Sequence, residues 1–306
     1  MSSAQYHKFH LVDPSPWPIS VSIGSLNMAL GGVLCMQFYQ KGLDTLVLGI
    51  IIVSLSVWFW WRDVIRESTY EGHHTKIVQK GLKIGMVLFI VTEVMFFFSF
   101  FWAYFHSSLA PSIEIGCVWP PRGIDTFDPW LIPLLNTAVL VLSGFTITWS
   151  HISILFNNYD QTNISLILTI ILAIYFTILQ LCEYIEANFD ISDGIYGSVF
   201  FMSTGFHGFH VIIGTIFIIV CFFRHIYYHF TKNHHLGFEC AAWYWHFVDV
   251  VWLFLFITIY WWGNSFKFNI PYFSDIFYLL NISLENISIF FKIDYILNYF
   301  YIPQLQ

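Results

Sequence analysis

Val91-Thr92-Glu93-Val94-Met95-Phe96-Phe97-Phe98-Ser99-Phe100-Phe101-Trp102-Ala103-Tyr104-Phe105 is the stretch whose reading decides the fold. It closes an apolar run from Gly81 to Phe105. At about 1.5 Å per residue, a helix of that length crosses a hydrocarbon layer of about 30 Å. Glu93 lies about halfway along the run, where an ionisable group costs roughly 2.5–3.5 kcal/mol on insertion scales and normally faces protein or water. Two readings of Glu93 stay open: a carboxyl hydrogen-bonded to a neighbouring helix, holding a bundle together, or a proton-handling or lipid-facing group.

Outward from that run, the rest of the chain has the same character. Its 306 residues are 57% hydrophobic, 21% aromatic and only 10% charged, with a mean hydropathy of +0.67. A soluble domain carries about 25% charged residues, so the composition is that of a polytopic membrane protein. The net charge of −7 comes from few groups and points to neither a nucleic-acid partner nor a basic membrane-surface helix. Cys35, Cys117, Cys182, Cys221 and Cys240 are scattered without metal-site or redox spacing and read as small buried hydrophobes. The first residues, Met1 to His10, lack Arg and an apolar core, so neither a signal peptide nor an import presequence is expected. Phe, Ile, Tyr and Asn are abundant, as A+T-rich codons of an organelle genome produce.

Length and apolarity define seven expected spans, Trp17–Gln37, Leu43–Trp61, Gly81–Phe105, Trp130–Ser150, Asn163–Tyr184, Gly197–Phe223 and Cys240–Trp262. Small residues in the first span, with Gly31-Gly32 among them, permit close approach of another helix. The second ends in Trp58-Phe59-Trp60-Trp61-Arg62 and the seventh in Tyr260-Trp261-Trp262, aromatic belts for opposite interfaces. Eight of the twelve Lys and Arg (Lys8, Arg62, Arg66, Lys76, Lys80, Lys83, Arg224 and Lys232) lie on the side of the N-terminus. That side is therefore expected to face the compartment of synthesis. Beyond Gly263 the composition shifts. The stretch 264–306, rich in Asn, Ile, Phe and Tyr and broken by Glu285, Lys292 and Asp294, reads as an amphipathic or interfacial extension.

Thirteen histidines invite a metal or haem reading. His207 and His210 share one face of the sixth span, and His246 and Asp249 repeat that spacing in the seventh. Against the ligand reading stands a packing one, in which Gly205, Gly208 and Gly214 mark a tight helix contact with the histidines hydrogen-bonded across it. His73-His74 and His234-His235 lie in connections on one side with Arg62, Arg66, Arg224, His225, His229 and Glu239. That polar ring suits phospholipid headgroups better than a metal, because Arg and Lys do not ligate and the His spacing is irregular. Glu183 and Glu186 end the fifth span, where solvation is the default. No phosphate loop, dinucleotide fingerprint, nucleophile elbow or zinc-protease motif occurs.

Longer strings carry more information. His10-Leu-Val-Asp-Pro-Ser-Pro-Trp-Pro18, Trp60-Trp-Arg-Asp-Val-Ile-Arg-Glu-Ser-Thr-Tyr70, Gly72-His-His-Thr75, His106-Ser-Ser-Leu-Ala-Pro111 and Pro133-Leu-Leu-Asn-Thr137 occur in that order. Gly205-Phe-His-Gly-Phe-His210, His234-His-Leu-Gly-Phe-Glu239 and Ala242-Trp-Tyr-Trp-His-Phe-Val-Asp249 follow. In these strings the chain resembles subunit III of the haem–copper cytochrome c oxidases, in its mitochondrial form, over nearly all of residues 1–263. The resemblance implies seven helices in two groups, the first two set apart from the last five by a V-shaped, lipid-filled cleft. It implies no catalytic residue, haem or copper in this chain, the redox centres lying in partner subunits. It further implies packing on the catalytic subunit, whose lifetime and proton uptake the chain supports, and a multi-pass place in the mitochondrial inner membrane with the N-terminus in the matrix. Glu93 matches the family's buried, carbodiimide-reactive carboxylate, and Arg62, Arg66, His73 and Arg224 match the region that holds phospholipid headgroups. His207, His210, His246 and Asp249 are then polar helix contacts, with no metal.

Two departures stand out. Ile152 follows His151 where the family usually shows a second His, and the stretch after Gly263 has no counterpart in the usual ending. Two other classes compete with the subunit reading. One is a haem-binding, quinol-reactive protein using His151, His207, His210 or His246. The other is a proton channel centred on Glu93.

Overall fold

The computed structural model describes residues 8–264. The expected interfacial extension lies outside the described residues. Those residues form an all-helical protein: α1 (Trp17–Met36), α2 (Gly42–Thr69), α3 (Lys76–Leu109), α4 (Ile132–Leu155), α5 (Tyr159–Ile185), α6 (Ile195–Ile226) and α7 (Leu236–Leu255). A 3-10 turn covers Ile113–Ile115, and α7 runs on as a π-helix through Phe256–Trp262. All seven helices are long and apolar enough to cross a membrane. Most outrun the expected spans, α2 by about two turns beyond Trp61. Hydropathy marks where the hydrocarbon ends, whereas backbone hydrogen bonds carry a helix on through the interface.

Helix starts follow local chemistry. Pro stands in the first two positions of α1 and α4, where its missing N–H costs nothing. At α5 the Asn158 side chain caps by accepting from the Gln161 N–H at 3.3 Å. The described chain divides into two compact units, 8–93 with 224–240, and 94–223 with 241–264.

In the first unit α1 and α2 pack through glycine. A methyl added at Gly49 would lie 2.5 Å from the Met28 nitrogen, and one at Gly42 would lie 2.5 Å from that of Cys35. Gly31 is pressed against the Leu46 backbone, whereas its neighbour Gly32 meets nothing within 4 Å. Only the first member of the Gly31-Gly32 pair therefore makes the contact expected of both.

The second unit is held by hydroxyl and indole groups. Trp245 and Trp252, both fully buried on α7, donate to Ser143 Oγ at 2.9 Å and Thr137 Oγ1 at 3.0 Å on α4. From the same helix, Thr146 meets Thr169 of α5 at 2.7 Å and Ser150 donates to Ser165 at 2.7 Å. Each such bond between membrane helices is worth about 0.6 to 2 kcal/mol. In the π-helical segment the Thr258 carbonyl accepts from the Gly263 N–H at 3.0 Å and from the Tyr104 hydroxyl at 2.8 Å.

Burial corrects three expectations. Tyr260, read as an interfacial belt residue, is 2% exposed, so Trp261 and Trp262 alone remain outward there. Glu183, read as solvated, is fully buried beside Gln180 and Tyr260. The loop after α5 folds Phe189 onto Tyr196 and Phe200 and covers that helix end. Of the cysteines only Cys221 is buried, while Cys117 and Cys182 are exposed.

Candidate functional site

The first unit gathers its polar groups where α2 ends and α3 begins. Thr75 Oγ1 donates to the Lys8 carbonyl at 2.7 Å, tying the N-terminal segment to this connection. The His73 N–H donates to the Glu67 carbonyl at 3.0 Å, tying the connection back to α2. His73 stacks on His10 with ring centroids 4.9 Å apart and reaches Glu71 at 3.2 Å. Arg224 and His234 lie near enough to His74 to act on its charge. Burial, then the positive fields of His10, His234, Arg224 and His73, hold the His74 imidazole down at about 4, so it is neutral at pH 7. His229 and His234 are shifted the same way, by burial first and Arg224 second.

Arg224 lies over the Phe230 ring at 4.6 Å, and Gly237 leaves the space that its guanidinium fills. Tyr70 meets His229 at 3.1 Å, and Lys83 forms an ion pair with Glu239. Arg62 turns to Asp63 at 2.8 Å, a carboxylate that also accepts from the Trp17 indole at 2.7 Å. Arg66 is exposed. Of the expected headgroup residues, His73 and Arg224 thus share the surroundings of His74, whereas Arg62 pairs through Nε and Nη2 with Asp63. His10 and Glu67 also belong to this site, and nothing in their sequence spacing signals it.

Glu93 is half-buried rather than fully buried in the isolated chain. Around it on α3, Val91, Val94 and Met95 are about half exposed or more. The carboxyl therefore lies beside an apolar surface that a bilayer or a partner would cover.

In the second unit the polar helix contacts separate into types. The His207 Nε2–H donates to the Val248 carbonyl of α7 at 3.2 Å, the cross-helix bond expected. His210 differs: its Nδ1–H donates to Phe206 of its own helix at 2.6 Å, and its ring packs on Phe97 at 4.9 Å. On α7, His246 meets Thr148 of α4 at 3.3 Å, and Asp249 fills the space left by Gly144. Of the three glycines expected at a tight contact, Gly214 makes it, with Trp245 2.9 Å from where a methyl would stand. Gly205 is looser and Gly208 is open. An apolar cleft of about 670 Å³ lined by Phe98, Trp102, Phe105, Leu109 and Phe254 opens in this unit, and His207, His210 and His246 do not line it.

These features define a class, a polytopic α-helical membrane protein with an imidazole- and arginine-bearing site at the ends of α2 and α6 and in the connections that follow them. The family model "Cytochrome c oxidase subunit III" matches residues 7–264. "Cytochrome c oxidase subunit 3" of Arabidopsis thaliana is 60% identical over 264 residues, 86% of this chain and 100% of the relative. The protein of the same name from Drosophila melanogaster is 61% identical over the same shares. That of Chondrus crispus is 59% identical over 263 residues, 86% of this chain and 97% of the relative. The chain belongs to the cytochrome c oxidase subunit III family.

Proposed function

We propose that this chain is a non-redox core subunit of cytochrome c oxidase, respiratory complex IV, in the mitochondrial inner membrane, with its N-terminus in the matrix. There it packs on the catalytic subunit, which with other partners holds the haem and copper. It stabilises that subunit and supports proton uptake during electron transfer from cytochrome c to oxygen. The observation that carries this reading is the family-model match over residues 7–264, together with about 60% identity to a named relative over 264 residues.

Its own groups would contribute in two ways. Arg62, Arg66, His73 and Arg224 hold phospholipid headgroups. Guanidinium forks match phosphate oxygens in pairs, and basic groups on this side suit anionic lipid. Arg224, oriented by Phe230 and Gly237, is the best placed of them. Glu93 stabilises the complex within the bilayer. Oxidase carrying Arg224→Gln should lose bound phospholipid and inactivate sooner during turnover, with its initial rate largely intact. Glu93→Gln should shorten lifetime without lipid loss. An Arg224→Gln oxidase with its full lipid complement would refute the headgroup role. Loss of initial turnover with Glu93→Gln would favour direct proton conduction instead.

A further inference from the structure

We propose that His10, Glu67 and His74 form a binding site for a divalent transition-metal ion of the zinc type. They come from three separate segments: the N-terminal stretch, the last turn of α2 and the connection to α3. Yet one ligand atom from each lies within 4.8 Å of the others. His10 Nδ1 and Glu67 Oε2 are 3.9 Å apart. Ligand atoms about 2.0–2.2 Å from a tetrahedral zinc ion stand roughly 3.3 Å from one another, so metal entry asks the His10–Glu67 pair to close by about 0.6 Å and the other pairs by about 1.5 Å at most. Two imidazoles and one carboxylate are a donor set that zinc and cobalt accept, with the fourth position left to water.

The segments that bring the ligands together are already tied. Thr75 holds the Lys8 carbonyl, fixing the strand of chain that carries His10, and the His73 N–H holds the Glu67 carbonyl. His73 stacks on His10 and restrains its ring. Ligand orientation by such outer partners is a large part of metal affinity. The nearby positive charge of Arg224 opposes a cation, and the carboxylates of Glu67 and Glu71 offset it.

The test uses the full chain in phosphatidylcholine nanodiscs, which carry no net lipid charge, after chelator treatment. Zinc is titrated against a chromophoric competitor, and cobalt serves as the spectroscopic probe. Wild type should take up zinc at this site and give the visible bands of a low-coordinate cobalt centre. Glu67→Gln and His74→Gln should weaken binding by more than the roughly 10–100-fold that loss of an outer partner causes. His106→Asn, remote in the sequence, should leave it unchanged. His10→Asn, which lies outside every helix, supplies the same readout if the other variants fail to fold. Absence of tight binding in the wild type, or equal affinity and cobalt spectrum in the His10→Asn variant, would overturn the proposal.

Discussion

The two units are built on different terms of the same physics. About 11% of the apolar window of α1 is buried, against 61% for the last helix. Lipid is as apolar as leucine, so the hydrophobic effect does not join helices in a bilayer; close packing and interhelical hydrogen bonds do. The α1–α2 pair relies on the first, with Gly24, Gly31, Gly42 and Gly49 letting backbones touch while the large apolar side chains point outward. The α4–α5–α7 core relies on the second, through Ser143, Thr137, Thr146 and Ser150 and their Trp, Thr and Ser partners. The lesson is that a glycine pair fails by sterics, whereas a hydroxyl ladder fails one bond at a time.

The sharpest way to break that contrast is steric. Gly31→Leu should cost about 3 kcal/mol or more, because the new side chain meets the Leu46 backbone rather than a yielding side chain. Gly32→Leu, one residue on and open, should be close to neutral. Unfolding titrations of the full chain in bicelles would compare them, and equal losses would contradict the glycine account.

In the second unit, Trp245→Phe keeps the ring and removes the donor to Ser143. About 1 kcal/mol should be lost, and a double-mutant cycle with Ser143→Ala should recover a coupling of roughly 0.6 kcal/mol. A coupling of zero would mean that ring packing alone does the work. His207→Phe should cost about as much, because its bond crosses to Val248. His210→Phe should cost less, because the bond it loses lies within α6 and the aromatic packing survives.

The smallest effect concerns pH in the first unit. Burial and Arg224 hold the His229 pKa below its ordinary 6.5. As pH falls below 6.5 the unfolded chain takes up this proton before the folded one, so that stability is complete above 6.5 and declines below it. His229→Gln should flatten the acid side of the stability profile slightly, since the group is partly solvated. A profile as steep as wild type would place the titration elsewhere.

The spans were legible because twenty or so apolar residues in a row leave few alternatives to a crossing helix. The polar contacts were legible only in part. Spacing put His207 and His210 on one face, yet only the structure separates the bond across to Val248 from the bond back to Phe206. Glu183 and Tyr260 are buried against expectation because position near a helix end says nothing about which way a residue faces or what loop covers it. The His10–Glu67–His74 group left no trace in spacing at all, since its members come from distant segments joined by a hydroxyl and a backbone amide. Gly208 and Gly32 show the converse, small residues in suggestive places that touch nothing.

The most direct measurement resolves native membranes in mild detergent and looks for this chain in the band that oxidises cytochrome c. Each subunit of that band is then assayed for haem. A non-redox subunit of the oxidase should co-migrate with the activity and separate from its partners without haem. A chain found outside the active band, or one that keeps haem of its own, would contradict the account and return His207, His210 and His246 to the status of candidate ligands.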